Sequence, residues 1–299
     1  MHFDGILFFP VTPFDSDGRV AVDILRAHVA SGLAHSPGGV FPACGTGEFP
    51  ALSSDEVALV VRESVAEVAG AVPVVAGTGG PLGHAREVAR AAADAGADAL
   101  LVLPPYLASG PQEGLVAYVR QVADASPLPV IVYHRGTAQY TADSVRTLAD
   151  DPRVIGFKDG VGDVGRAQEI VRAVAETGRD DFAFFNGLLT AELTQGAYRG
   201  IGIPLYSSAA FAMAPDIADA YHRSYIEYDE SRRLDLLDGF YRPLVALRDE
   251  TPGFGVALIK AGLRLRGVDV GSVRPPLVDP TPAQEERLSA ILVAGYALL

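Results

Sequence analysis

The stretch Val154-Ile155-Gly156-Phe157-Lys158-Asp159-Gly160 decides how this chain folds. Its first four residues are apolar or glycine, so no alternation separates a wet face from a dry one. A strand of that kind is covered on both faces, as parallel strands are in α/β proteins. Working outward, seven further runs share this character, at residues 5–11, 39–42, 72–76, 99–103, 129–133, 182–185 and 200–205. Helix signals lie between them. Ser53 and Glu56 form a capping box ahead of Val57, Leu59, Val60 and Val61. Pro111 stands where a helix can begin, and Thr141 can cap the segment through Val145 and Leu148. Residues 86–95 and 166–175 carry helical apolar spacing without a breaker. The count is about eight strand–helix units, the number that closes a (β/α)8 barrel. An open doubly wound sheet competes, but it normally needs a Gly-rich turn after its first strand, and Pro10-Val11-Thr12-Pro13 is a poor one.

Beyond the eighth run the pattern becomes purely helical, at residues 216–228, 231–248, 255–266 and 282–298, with a loop over 267–280. The expected organisation is α/β: a (β/α)8 TIM barrel over residues 1–211 and a C-terminal helical appendage over 212–299 packed against it. The chain has 299 residues and is 49% hydrophobic, enough to bury a large core. With 24 basic residues against 37 acidic ones and a net charge of −13, it has no general basic surface, which argues against nucleic-acid binding. Cys44 is the single cysteine, so an internal disulfide and a multi-cysteine metal cluster are excluded. The first residues lack a basic region and soon meet Pro10 and Pro13, and the uncharged stretch 200–215 is broken by proline. The expectation is a cytoplasmic protein without a membrane segment.

In such a barrel the chemistry sits at the C-terminal ends of the strands. Lys158 ends the sixth run, and it is one of only two lysines in the chain; the other basic residues are 22 arginines. A lysine desolvated there would lose its proton and could attack a carbonyl as a free amine. The alternative is an exposed strand end paired with Asp159. Lys260, within Ala257-Leu258-Ile259-Lys260-Ala261, reads as the one polar position of a helix. Tyr133 ends the fifth run and is either a proton shuttle beside Lys158 or a core tyrosine with a satisfied hydroxyl. The small-residue turn Gly45-Thr46-Gly47 offers backbone N–H groups and a hydroxyl for a carboxylate. Arg135 is the nearest strand-end cation for an anionic substrate, and Glu48 suits a caged carboxylate as well as an acid. Cys44 is read as packing, and His84 and His134 as loop residues outside any metal spacing.

Together these positions resemble the dihydrodipicolinate synthase and N-acetylneuraminate lyase superfamily of Schiff-base barrels. The likeness runs through Pro10-Val11-Thr12-Pro13-Phe14, Gly45-Thr46-Gly47-Glu48, Gln112-Glu113-Gly114, Tyr133 and Gly156-Phe157-Lys158-Asp159. It continues in Lys260-Ala261-Gly262 and Val273-Arg274-Pro275-Pro276-Leu277. Within the superfamily it is most similar to the 5-dehydro-4-deoxyglucarate dehydratases, through Cys44-Gly45-Thr46-Gly47-Glu48-Phe49, Leu103-Pro104-Pro105-Tyr106-Leu107, the segment from Gly156 to Asp163, and Tyr206-Ser207-Ser208-Ala209. The resemblance implies that Lys158 forms the Schiff base and Tyr133 shuttles protons, with no metal or organic cofactor. It implies a small anionic sugar-acid substrate held by Gly45, Thr46, Arg135, Asn186 and Ser207, and a homodimer or homotetramer. Two departures stand out. Gly45 replaces the second Thr or Ser of the synthases and lyases, which removes one member of their hydroxyl relay, and His134 follows Tyr133 where the dehydratases carry asparagine. A pyruvate-dependent aldolase or synthase, and a non-catalytic sugar-acid-binding barrel, are the competing readings.

Overall fold

The computed structural model describes residues 1–299. Eight parallel strands form one sheet: β1 (Leu7–Phe8), β2 (Gly39–Val40), β3 (Val75–Thr78), β4 (Ala99–Val102), β5 (Val130–His134), β6 (Val154–Asp159), β7 (Ala183–Asn186) and β8 (Leu205–Ser208). Their spatial order is β2-β1-β8-β7-β6-β5-β4-β3. A parallel bridge between Val40 and Val74 joins the two ends, so the sheet closes on itself as a barrel. Helices α1 (Val22–Leu33), α2 (Ser54–Val68), α3 (Leu82–Asp94), α4 (Gln112–Ala123), α5 (Ala142–Ala149), α6 (Val164–Ala175) and α7 (Gln195–Gly200) connect successive strands. The capping box of Ser53 and Glu56 starts α2, and the Thr141 hydroxyl accepts the Ser144 N–H at the start of α5.

Unbroken apolar character along the strands reflects two separate burials. Phe3, Leu7, Phe9, Phe41, Cys44, Val75, Leu101, Ile131, Tyr133 and Phe185 fill the barrel interior as one cluster. Alternate residues such as Val130, Val132 and Phe157 turn outward and join the larger core under the helices. Each fully buried side chain of this size contributes roughly 1.5–3 kcal/mol. The glycine inside β6 has a packing cause: a Cβ on Gly156 would lie 2.9 Å from the Phe185 ring and 2.8 Å from the Ala183 carbonyl.

The eighth strand corrects the expectation of 200–205. That run contains the end of α7 and a turn in which Gly202 takes φ +91°, and β8 begins only at Leu205. Past it come α8 (Pro215–Ile226), α9 (Glu230–Leu236), a π-helical turn (Leu237–Tyr241), α10 (Arg242–Arg248), α11 (Phe254–Leu265) and α12 (Pro282–Tyr296). Residues 231–248 were expected as one helix; Pro243 has no N–H to return to Gly239, and the wider π turn accommodates the missing bond. Phe240, Leu258 and Leu288 of these helices belong to the same core as the outward faces of the strands. No helix is long and apolar enough to cross a membrane.

Candidate active site

Lys158 and Tyr133 are direct neighbours across the β5–β6 pairing. Both point into the barrel, where Tyr133 belongs to the interior apolar cluster together with Phe9. The Lys158 Nζ lies 4.0 Å from the centre of the Phe9 ring and 4.6 Å from that of Tyr133. Only 5% of Lys158 is exposed, and it has no carboxylate partner. Burial is the main cause that brings its pKa down to about 7; Cys44 opposes this and the Arg135 charge adds to it. A pKa near neutrality leaves about half the side chains as free amine at pH 7, where an ordinary lysine would have well under one in a thousand. The alternative of an exposed strand end paired with Asp159 is overturned. Asp159 faces the helix side, where its carboxylate accepts the Val161 N–H at 3.0 Å and the Tyr198 hydroxyl.

The Tyr133 hydroxyl donates to the Gly187 carbonyl at 2.9 Å and accepts from the Arg135 guanidinium at 2.9 Å. Burial raises the phenol pKa, and the Arg135 charge works against that rise. The hydroxyl therefore has a carbonyl on one side and a cation on the other, an arrangement that can hold or release a proton beside the amine.

These two groups sit at the floor of a cavity of about 1110 Å³ at the C-terminal end of the barrel. Gly45, Thr46, Arg135 and Ser207 all line it, so the structure brings together six of the seven sequence-predicted site residues. Asn186 is the exception. It is in register with Asp159 on the outward side of β7, and its amide donates to Ala191, Thr194 and Gln195 while accepting the Leu188 N–H. Its expected contact with substrate gives way to a structural one. The histidines also differ from expectation: His84 lies on α3 and His134 ends β5, where its Nδ1 accepts the Tyr140 N–H at 2.9 Å and burial lowers its pKa. Cys44 packs inside the barrel, and burial pushes its thiol up to about 12. No three His, Cys, Asp or Glu side chains come together as a metal site.

Several residues of the site escaped sequence reasoning. A Cβ on Gly187 would lie 2.5 Å from the Lys158 Cε, and one on Gly160 would lie 2.7 Å from the Tyr133 ring. These glycines make room for the two reactive side chains. The signal was present, since each directly follows a polar strand end, in Asp159-Gly160 and Asn186-Gly187. The C-terminal region also lines the cavity, through Leu244, Arg248, Phe254 and Arg274. Glu48 and Lys260, at opposite ends of the sequence, meet in a fully buried ion pair of 2.6 Å. Lys260 is thus more than the polar position of a helix.

Comparison with known proteins agrees with the barrel fold. A probable 5-dehydro-4-deoxyglucarate dehydratase 1 of Streptomyces coelicolor is 51% identical over 99% of this chain and 94% of its own length. A probable 5-dehydro-4-deoxyglucarate dehydratase of Rhizobium rhizogenes is 42% identical over 98% of this chain and 96% of its own. Among solved structures, the dihydrodipicolinate synthase of Oceanobacillus iheyensis superposes with a TM-score of 0.90 at 25% identity, covering 99% of this chain and 97% of that one. The model of the dihydrodipicolinate synthetase family matches residues 2–294. The chain belongs to the dihydrodipicolinate synthetase family.

Proposed function

We propose that this protein is a decarboxylating dehydratase that converts 5-dehydro-4-deoxy-D-glucarate to 2,5-dioxopentanoate, water and carbon dioxide through a Schiff base on Lys158. The observation that carries this reading is the juxtaposition of a buried, unpaired amine with the Tyr133 hydroxyl across neighbouring strands. The likeness to probable 5-dehydro-4-deoxyglucarate dehydratases over nearly the whole chain supports this choice of substrate.

In this mechanism the Lys158 amine adds to the ketone beside one carboxylate and loses water to form a protonated imine. That cation acidifies the neighbouring methylene, from which Tyr133 takes a proton as general base. The resulting enamine expels the β-hydroxyl, which leaves as water with a proton from Tyr133 or a bound water. Proton loss at the remaining carbinol carbon gives a dienol conjugated to the lysine nitrogen. Return of a proton to the carbon bearing that nitrogen and the carboxylate turns the imine into an amine and the dienol into a ketone. The ketone is conjugated through the remaining alkene to that carbon. When that carboxylate departs as carbon dioxide, its electron pair passes through the alkene into the ketone oxygen. This leaves a dienolate bonded to the lysine nitrogen, which protonation on carbon converts to an aldimine. Hydrolysis releases 2,5-dioxopentanoate and restores the amine. The Gly45 and Thr46 amides with the Thr46 hydroxyl hold the carboxylate beside the imine, and Arg135 and Ser207 serve the distal hydroxyls and carboxylate. Gly45 suits this chemistry better than pyruvate aldol chemistry, since the relay hydroxyl of the synthases is missing.

The same reading places the protein in the cytoplasm as a homo-oligomer, in keeping with the family. A product assay tests it: incubation with 5-dehydro-4-deoxyglucarate should release carbon dioxide in a one-to-one ratio with substrate consumed. Release of pyruvate instead would establish the aldolase reading, and no turnover at all would leave a binding barrel. A neighbour of 25% identity and TM-score 0.86, a prophage protein of the dihydrodipicolinic acid synthase family from E. coli K12, was solved with pyruvate, which makes that comparison worthwhile.

A further inference from the structure

We infer that Lys260, through its ion pair with Glu48, is a positioning residue that sets the carboxylate-binding turn after β2. The inference rests on the proposed role of the Gly45–Thr46 amides. Glu48 closes that turn at φ +59°, in the left-handed region where a residue with a Cβ is strained. Such a conformation persists only when its surroundings over-determine it. Here they do. The Lys260 Nζ lies 2.6 Å from Glu48 Oε1, and the Arg274 N–H donates to Glu48 Oε2 at 2.8 Å. One residue earlier, the Gly47 carbonyl accepts the Thr12 hydroxyl at 2.7 Å.

The pair is built into the fold from the far end of the chain. Lys260 comes from α11, and its ammonium also donates to the Ser272 carbonyl at 2.9 Å and lies 4.1 Å from the centre of the Phe14 ring. Arg274 reaches past the same turn to Ala51 and to Glu56. Both side chains of the Glu48–Lys260 pair are fully buried. A buried ion pair is a poor source of net stability, because apolar residues of similar volume serve as well once desolvation is counted. It does impose one geometry: the carboxylate must reach the ammonium, which fixes the Glu48 backbone and with it the direction of the Gly45 and Thr46 amides. Gly45 and Thr46 line the cavity that holds Lys158. Lys260 has no path of its own to the substrate, since it lies beneath the turn and does not line the cavity.

The test uses the full-length protein with Glu48→Gln and with Glu48→Gln/Lys260→Met, which remove one or both charges at nearly constant volume. Wild type should trap pyruvate on Lys158 under borohydride at least tenfold faster than hydroxyacetone, which lacks the carboxylate. In the variants that preference should fall towards one, and KM for 5-dehydro-4-deoxyglucarate should rise about tenfold with kcat within about threefold, the pattern of lost carboxylate binding. Lys260→Met alone, which strands a bare carboxylate, should lose more than the double variant, and adding Glu48→Gln should restore part of the loss. Unchanged preference and KM in folded variants overturn the inference, as does a fall in kcat alone. Should the double variant fail to fold, Glu48→Gln alone decides by the same readouts. Equal trapping of pyruvate and hydroxyacetone by the wild type overturns the carboxylate role of the turn itself.

Discussion

Adding one methyl group at Gly187 should disable the site without unfolding the barrel. The new Cβ would stand 2.5 Å from Lys158 Cε, 2.6 Å from its Cγ and 2.9 Å from the Asp159 carbonyl oxygen. Carbon atoms pack at about 3.5–4.0 Å, so the lysine stem must retreat by about 1 Å. One of the three contacts is backbone, so the strand end cannot simply flex away. The Gly187 carbonyl also accepts the Tyr133 hydroxyl, and any shift of this peptide moves both reactive groups at once. A displacement of about 1 Å costs on the order of 100-fold in rate, and overpacking costs about 1–3 kcal/mol in stability. For Gly187→Ala we therefore expect kcat/KM lower by about two orders of magnitude and a cooperative thermal transition at a modestly lower temperature. Gly83→Ala is the control. It lies in α3 with nothing within 4 Å of the added Cβ, and should be active and more stable by about 0.5–1 kcal/mol. Full activity of Gly187→Ala would refute the placement of Lys158 against this backbone.

Three further outcomes follow from the geometry. Tyr133→Phe should lower kcat by about 10²–10⁴-fold while Lys158 still forms a borohydride-trappable adduct, because the amine does not depend on the phenol to become free. With its pKa brought down to about 7, Lys158 should give kcat/KM an acid limb that falls tenfold per pH unit below that value. A limb near pH 10 would mean an undisturbed amine. Glu192 is a buried carboxyl pushed up to about 7 from its ordinary 4.5, chiefly by burial. Between these values the native state holds a proton the unfolded chain has lost, so stability should decline as pH rises from about 4.5 to about 7 and then level off. Glu192→Gln should abolish that decline and stabilise the protein at pH 8 by about 3 kcal/mol, read from denaturant unfolding at several pH values.

Much of this arrangement was legible because barrel strands are buried twice. Runs such as Val154 to Phe157 announce themselves through unbroken apolar character, and a lone lysine at the end of one is conspicuous in a chain so poor in lysine. The same feature hid the direction of side chains. Ala183-Phe184-Phe185 is apolar on both faces, so nothing in β7 told whether Asn186 points inward with Phe185's neighbours or outward with Asp159; the register shows the latter. Composition also could not separate strand from turn at Gly200-Ile201-Gly202-Ile203, where a φ of +91° at Gly202 makes the difference. The Glu48–Lys260 pair joins residues 212 positions apart, beyond any local periodicity. The glycines that admit Lys158 and Tyr133 were visible only as punctuation, because what they avoid is a side chain from another strand.

The central claim is that Lys158 supplies the electrophilic catalyst. Incubation with 5-dehydro-4-deoxyglucarate and borohydride, followed by peptide mass spectrometry, tests it most directly. Chemistry at the barrel's buried amine predicts a single reduced adduct on the peptide containing Lys158, and none on that containing Lys260. Full turnover without an adduct on Lys158, or with the adduct on Lys260, would contradict it.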